Sequence, residues 1–206
     1  MKYINWFLIV FIFWGAFVIA RGSARSKQAA AKNTKTFWDN ESKANQVRKA
    51  DISNLAYLVL DLSLLPMDAL LPALSARAKE LERLAQEKII NLSMYTNTEL
   101  KLMYGPANLE ALSYYDGNYL KLIRLLNFIG KELIELGNES AAKEFLSYSL
   151  SIGSDISETF TMLAEIYKSK GRDNDIDLLI QVAERLETIN KSAIINKLNN
   201  IKSNMK

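Results

Sequence analysis

Three aspartates at alternate positions, Asp173, Asp175 and Asp177, form the densest acidic cluster in the sequence. Alternating carboxylates are typical of the start of a calcium-binding EF-hand loop, which needs a glycine at its sixth position for a sharp turn. Leu178 occupies that position here. Aspartate is also favoured where a helix begins, because it accepts hydrogen bonds from free backbone N–H groups and interacts favourably with the helix dipole. The sequence therefore predicts a helix start at Asp173 rather than a metal site.

The amino-acid composition removes most other routes to catalysis. The 206 residues include no histidine and no cysteine, which excludes imidazole bases, thiolate nucleophiles and the common zinc ligand sets. Tyr114 and Tyr115, beside Asp116, are interpreted as core and helix-cap residues. The sequence contains no phosphate-binding loop, nucleophile elbow or dinucleotide fingerprint. We predict a protein that is not an enzyme, with no catalytic residues, no metal and no cofactor.

The elements that position these side chains are predicted to be helices. Only three prolines and eight glycines occur, which favours long helices over a turn-rich β fold. One helical pattern occurs twice: large residues three to four positions apart, a small residue among them, and a glycine at the end. The two copies, 34 residues apart, are Leu126, Ile129, Gly130, Leu133 and Gly137, and Phe160, Leu163, Ala164, Tyr167 and Gly171. A helix pair with a 34-residue period is the signature of a tetratricopeptide array.

Residues 123–190 resemble two divergent tetratricopeptide repeats. On the second helix of each pair the matching residues are Ala142, Leu146 and Ser149 in the first copy, and Ile180 and Ala183 in the second. Two positions depart from the family pattern: Ile176 stands where alanine is preferred, and Ser154 where proline often closes the repeat. The small residues would let neighbouring helices approach closely while the large ones fill the layer between them. The alternative is an ordinary helical bundle in which this spacing is accidental.

The resemblance implies a concave face lined by the first helix of each pair. The implied partner-binding residues are Arg124, Asn127, Phe128, Lys131, Glu135, Glu158, Met162, Glu165 and Lys168. Their mixed charges depart from the basic clamp with which chaperone-binding members hold a C-terminal carboxylate. Phe128 and Met162, among charges of both signs, suit an amphipathic helix or an extended peptide. The alternative is that residues 55–65 cover this face and leave no open groove.

Five segments are predicted along the chain. They are a transmembrane anchor at 1–21, a basic juxtamembrane stem at 22–50, an N-terminal helical part with an extended strap at 51–122, the repeats at 123–190, and a capping helix with a basic tail at 191–206. Residues 55–65 fit a strand or an extended strap, and periodicity alone does not separate these from a buried helix. The strap is preferred because no partner strand is found. A helix that starts at Pro106 is expected to end at Gly117. The predicted fold class is all-α.

Residues 3–20 carry no charged side chain. This run of eighteen residues would span roughly 27 Å as a helix, close to the ~30 Å hydrocarbon core of a bilayer. The predicted membrane-interface residues are Tyr3, Trp6, Arg21, Arg25 and Lys27. A cleaved secretory signal is the alternative, although the run is long for a signal core and rich in aromatic residues. We therefore predict a single-pass membrane anchor.

Charge is segregated along the chain. Residues 21–50 carry eight basic and two acidic groups and residues 189–206 carry four lysines and no acid, whereas residues 51–188 carry 13 basic and 21 acidic groups. An acidic body argues against nucleic-acid binding. The excess of lysine and arginine after the anchor predicts a cytoplasmic body, and the basic stem and tail are predicted to contact anionic lipid of the bilayer.

Two functions are consistent with these patterns. The preferred one is a membrane-tethered scaffold or adaptor whose helices bind a protein or peptide partner. The alternative is a membrane-anchored enzyme or small-ligand carrier with a pocket of carboxylates and tyrosines. The first needs only a groove, whereas the second needs convergent polar groups that the sequence does not display. The layout also resembles uncharacterised membrane-anchored proteins of low-GC bacteria, a resemblance that implies no function.

The predicted orientation is tested by introducing a single cysteine at Lys32 or Lys206, since the chain has no cysteine of its own. With the body in the cytoplasm, an impermeant thiol reagent leaves both positions unlabelled in intact cells and labels them after the membrane is opened. Labelling of either position in intact cells would contradict the orientation.

Overall fold

A computed structural model of the chain describes residues 34–204, and this part is predominantly helical with no β-strand. Its α-helices are α1 (34–44), α2 (Ser75–Leu84), α3 (Asn97–Tyr104), α4 (Leu109–Glu135), α5 (Glu139–Ser151), α6 (Ser157–Ser169), α7 (Asp173–Glu184) and α8 (Lys191–Ser203). The predicted all-α class is therefore confirmed for these residues. The predicted anchor at 3–20 lies outside them. Among the helices of residues 34–204, none has both the length and the hydropathy needed to cross a bilayer.

The chain divides into two compact units. The first unit combines the described residues up to Asp51 with Thr96–Leu109, and therefore contains α1 and α3. The second unit combines Ile52–Tyr95 with Glu110–Lys206 and contains both predicted repeats.

In the first unit, one carboxylate joins α1 to α3. The Thr98 hydroxyl donates to Oε2 of Glu41 at 2.8 Å, and the Lys101 ammonium pairs with the other carboxylate oxygen. The start of α3 is closed by a capping box, in which the Thr96 hydroxyl accepts from the backbone N–H of Glu99 and the Glu99 carboxylate accepts from that of Thr96. The start of α3 and its contact with α1 are thus stabilised by side-chain hydrogen bonds.

In the second unit, α4 runs without a break through Gly117, so the prediction that a helix ends there is wrong. A glycine ends a helix when it adopts a positive φ, as Gly137 and Gly171 do at 79° and 63°. Gly117 has no positive φ. The next residue, Asn118, is fully buried and donates to the backbone oxygen of Lys88 at 3.1 Å, which favours the continuing helix over a turn.

Small residues set the spacing of the repeat helices, as the sequence predicted. A Cβ atom added to Gly130 would lie 2.4 Å from Cδ2 of Leu146, so that side chain rests directly on the backbone of α4. Ser149, Ala164 and Ala183 are fully buried at the other small positions. Where a helix presents one of these small residues, a neighbouring side chain can pack closely against it, as Leu146 does at Gly130.

The end of the stack is covered by α8, as predicted for a capping helix. This helix packs against α6 and α7 and buries Ile194 and Leu198 completely. Its other face carries exposed Asn196 and Lys197. The apolar face of the repeats is thereby closed and a hydrated face is presented instead.

The segment at 55–65 contains neither a β-strand nor an α-helix; it is extended up to Asp61, as the preferred strap predicts, but Leu62–Leu64 form a turn of 3₁₀-helix that the prediction did not include. Its backbone is held where the Leu58 N–H donates to the Ile89 oxygen at 2.8 Å. Leu60 and Leu65 are buried in the core of the second unit. The strap is therefore part of the core rather than a separate sheet.

The spacing set by Gly130 is tested by comparing Gly130→Ala with Gly117→Ala, two identical changes on α4. Gly130→Ala forces Leu146 out of its place and lowers the free energy of unfolding by about 1–3 kcal/mol. Nothing lies within 4 Å of a Cβ at Gly117. Alanine at that position therefore raises the free energy of unfolding by about 0.5–1 kcal/mol, because alanine has the higher helix propensity. Urea unfolding followed by circular dichroism in mild detergent measures both. Equal effects of the two changes would contradict the close approach.

Candidate functional site

Most of the predicted partner-binding residues lie at the surface of α4 and α6. The exposed ones are Arg124, Phe128, Lys131, Glu135, Glu158 and Glu165, and the half-buried ones are Met162 and Lys168. Asn127 differs, because only 9% of its surface is exposed. The expectation that Asn127 faces a ligand is therefore corrected: its amide is used inside the protein.

The Asn127 amide clamps α4 to α6. Its Nδ2 donates to Oε2 of Glu158 at 2.9 Å, and its Oδ1 accepts from the Thr159 hydroxyl at 2.8 Å. Thr159 is itself fully buried. The Lys131 ammonium, one turn further along α4, approaches Oε1 of Glu158 to 3.3 Å. Since a buried amide without partners is costly, this pairing favours one register of the two helices.

These contacts favour the ionised form of Glu158. The hydrogen bond from Asn127 is the largest influence that lowers the pKa of Glu158 below its ordinary value of 4.5, and Lys131 adds to it. Burial acts in the opposite direction but is weaker than the Asn127 hydrogen bond. The carboxylate therefore contributes to stability above pH 4.5, and the contribution is lost as the pH falls below 4.5 towards the lowered pKa.

Phe128 is covered in part by α2 rather than by the strap. The guanidinium carbon of Arg77 lies 4.3 Å from the centroid of the Phe128 ring, a cation–π contact that leaves the residue 38% exposed. Sequence reasoning missed Arg77, since 51 residues separate it from Phe128 and no local pattern links them. Residues 55–65, the alternative cover for this face, instead make a backbone hydrogen bond from Leu58 to Ile89.

Beside the clamp is a cleft of about 460 Å³ formed by α4, α5 and α6. The side chains that line it are Ile134, Glu139, Glu158, Thr161, Met162, Glu165 and Ile166. None of them belongs to the strap, so the cleft is not covered by residues 55–65. Three of the predicted binding residues meet here, and the apolar Ile134 and Ile166 join them.

The three carboxylates of the cleft remain accessible to solvent. The side chains of Glu139, Glu158 and Glu165 are 43%, 48% and 57% exposed. Each pairs with a lysine that does not line the cleft, and these are Lys170 at 3.3 Å, Lys131 at 3.3 Å and Lys168 at 3.9 Å respectively. Exposed pairs of this kind contribute only about 0–1 kcal/mol, so a cation of a ligand can replace the lysine at small cost.

The other residues considered for chemistry have structural roles. Asp173 and Asp175 lie in the first turn of α7, which confirms the predicted helix start, and Asp175 pairs with Arg172 at 2.6 Å. Tyr115 packs edge to face on Tyr57, with centroids 5.7 Å apart. In residues 34–204, no group of three or more His, Cys, Asp or Glu side chains is placed to hold a metal ion.

Tyr114 and Tyr119, both on α4, differ in how far they are buried. Tyr114 is 49% exposed, so its interpretation as a core residue is wrong. Tyr119 is buried, and burial is the main cause that raises its pKa to about 12. Its hydroxyl donates to the Ile152 oxygen at 3.3 Å. A phenol with a raised pKa is a poorer proton donor, so Tyr119 is better suited to packing than to acid catalysis.

The chain matches no protein-family model, no curated protein and no solved structure.

The clamp is tested by Asn127→Ala, with Asn196→Ala on the exposed face of α8 as the matched control. The first change strips the buried Thr159 hydroxyl of its acceptor and costs about 1–3 kcal/mol of unfolding free energy at pH 7. It also removes the main cause of the lowered pKa of Glu158, so that pKa rises towards 4.5. The control has almost no effect on stability.

Two measurements follow this change. Carbon NMR of the glutamate carboxyl groups gives the Glu158 pKa, and urea unfolding at several pH values gives the stability difference from the wild type. The part of that difference that comes from Glu158 disappears as the pH falls from 4.5 through the lowered pKa of the wild type, because below that pKa the carboxyl group is protonated in both proteins. An unchanged Glu158 pKa would contradict the assignment of Asn127 as its main partner.

Proposed function

We propose that this protein is a membrane-tethered, tetratricopeptide-like module that binds a peptide segment of a partner protein in the cleft between α4, α5 and α6. The observation that carries the proposal is the cleft itself: an apolar floor of Ile134, Met162 and Ile166 bordered by solvent-accessible carboxylates. The repeat resemblance supports the choice of ligand, since helix pairs of this kind present their first helices to peptides. No catalytic step is required for this function.

The chemistry of the lining selects the peptide. Three glutamates and no lysine or arginine line the cleft, so a complementary segment carries lysine or arginine. Met162 is unbranched and flexible, and adapts to apolar side chains of different shapes. We therefore infer a segment in which basic residues flank one or two large apolar residues. An amphipathic helix and an extended strand both satisfy this pattern.

The cleft favours a binding module over an enzyme or a carrier. Its volume is in the range of small-molecule sites, which are typically about 300–1,000 Å³, so size does not distinguish these functions. A carboxyl group that acts as a general acid at neutral pH needs a raised pKa, which burial provides. Here the glutamates are 43–57% exposed, and the pKa of Glu158 is lowered.

The membrane tether is proposed from the uncharged run at 3–20 and the basic residues that follow it. In this arrangement the body lies in the cytoplasm, where the acidic surface of residues 110–188 is kept from anionic lipid by repulsion while the basic stem is attracted. The partner is then a protein that comes to the cytoplasmic face of the membrane.

The proposal is tested by peptide display on the full chain in detergent, followed by affinity measurements with the enriched peptides. We expect peptides with lysine or arginine beside large apolar residues. The double change Glu139→Lys with Glu165→Lys weakens their binding about tenfold or more, because it reverses two charges of the cleft. The matched control, Glu110→Lys with Glu144→Lys, alters the net charge equally at exposed sites outside the cleft and leaves binding nearly unchanged.

Three results would contradict the proposal. Equal weakening by both double changes would mean that the peptides respond to net charge only. Unchanged binding in both would place the peptide site elsewhere. Enrichment of acidic peptides would show that the inferred ligand chemistry is wrong.

A further inference from the structure

The first unit exposes an aromatic and aliphatic surface that the cleft does not use. We call Phe37, Trp38, Leu102 and Met103 the apolar patch, and their exposed fractions are 52%, 62%, 42% and 41%. The rings of Phe37 and Trp38 meet edge to face with centroids 5.3 Å apart. Phe37 and Leu102 border a shared depression of about 270 Å³. The patch is therefore one surface built from α1 and α3.

The patch is presented by a fixed scaffold. Phe37 and Glu41 lie four residues apart on α1, and Lys101 immediately precedes Leu102 on α3. The Glu41 carboxylate binds Thr98 and Lys101, so the contact between the two helices lies within one turn of the exposed rings. Large apolar groups that are held outward in this way mark a surface that is covered by something else.

The length and charge of the preceding chain identify what covers it. Trp38 lies 17 residues beyond Arg21, the end of the proposed anchor. The 12 residues at 22–33, which separate Arg21 from the start of α1, can reach at most about 43 Å, and this limits how far the patch can lie from the bilayer. Residues 22–36 in between carry four basic groups and no acid, and these are attracted to anionic lipid.

We propose that the apolar patch inserts into the interfacial region of the bilayer that holds the anchor, with Trp38 and Phe37 at the depth of the lipid headgroups and upper acyl chains. This inference rests on the proposed membrane tether. Tryptophan is favoured in that region because its ring is apolar and its N–H is polar. The basic stem and the patch then act together, and the first unit lies on the membrane surface.

Trp38 provides its own probe, since Trp6 and Trp14 are the other two tryptophans of the chain. The full-length chain with Trp6→Phe and Trp14→Phe is reconstituted into vesicles of three parts phosphatidylcholine to one part phosphatidylglycerol. Insertion to roughly 5–10 Å below the surface moves Trp38 emission to the blue, and brominated acyl chains reduce the emission by about half. The matched control carries two further changes, Trp38→Phe and Leu178→Trp, which move the single tryptophan to α7, where Leu178 is 56% exposed. We expect that the emission of this tryptophan is not quenched.

The outcomes separate this inference from the tether on which it rests. Unquenched Trp38 in a chain that stays with the vesicles through an alkaline carbonate wash overturns the insertion and leaves the tether standing. Loss of the chain in that wash overturns the tether and the insertion together. A blue shift without quenching shows that a second copy covers the patch, and equal quenching of the α7 control shows unspecific adsorption. Either of these also overturns the insertion.

Discussion

The approach of α4 and α5 at Gly130 is the constraint on which the second unit depends. The Leu146 side chain lies against the α4 backbone, where no side chain larger than hydrogen fits without displacement. This contact brings α4 and α5 together and, with them, the residues at the ends of the two helices. Ile134 near the end of α4 and Glu139 at the start of α5 then border the same cleft. Close packing at one small residue thus positions two side chains of the candidate site.

A second constraint, the buried amide of Asn127, joins α4 to α6. Hydrophobic packing alone tolerates small shifts between helices, whereas an amide that must satisfy both a hydroxyl and a carboxylate does not. The clamp therefore determines the position of α6 relative to α4, and with it the positions of Met162 and Glu165. Each carboxylate of the cleft pairs with a lysine that does not itself line the cleft.

Much of the helical framework is predictable from the sequence, because helix ends are local. The start of α5 follows from Asn138, whose side-chain oxygen accepts from the Ala141 N–H, and the start of α7 follows from Asp173. Gly137 and Gly171 end the preceding helices as expected. The unbroken course through Gly117 is not predictable from composition, since φ at that residue depends on tertiary packing.

The candidate site is less predictable, because its contacts are distant in the chain. Asn127 is one turn of helix from Arg124 and Lys131, both exposed, so its position on α4 suggests exposure. Only its partners Glu158 and Thr159, more than 30 residues later, explain its burial. The cation–π contact between Arg77 and Phe128 is of the same kind. Periodicity identifies which helix face is apolar, but it does not say which polar side chain is enclosed by the next helix.

The clamp at Asn127 also makes the junction between two helix pairs specific. The residues 34 positions before Glu158 and Thr159 are Arg124 and Leu125. A second copy of the α4–α5 pair, placed where the α6–α7 pair lies, would set Asn127 and Lys131 against an arginine and a leucine, with two cations facing each other and a buried amide left unsatisfied. The junction between α4 and α6 is thus encoded by its own residues, and a further helix pair would need new junction residues before it could stack.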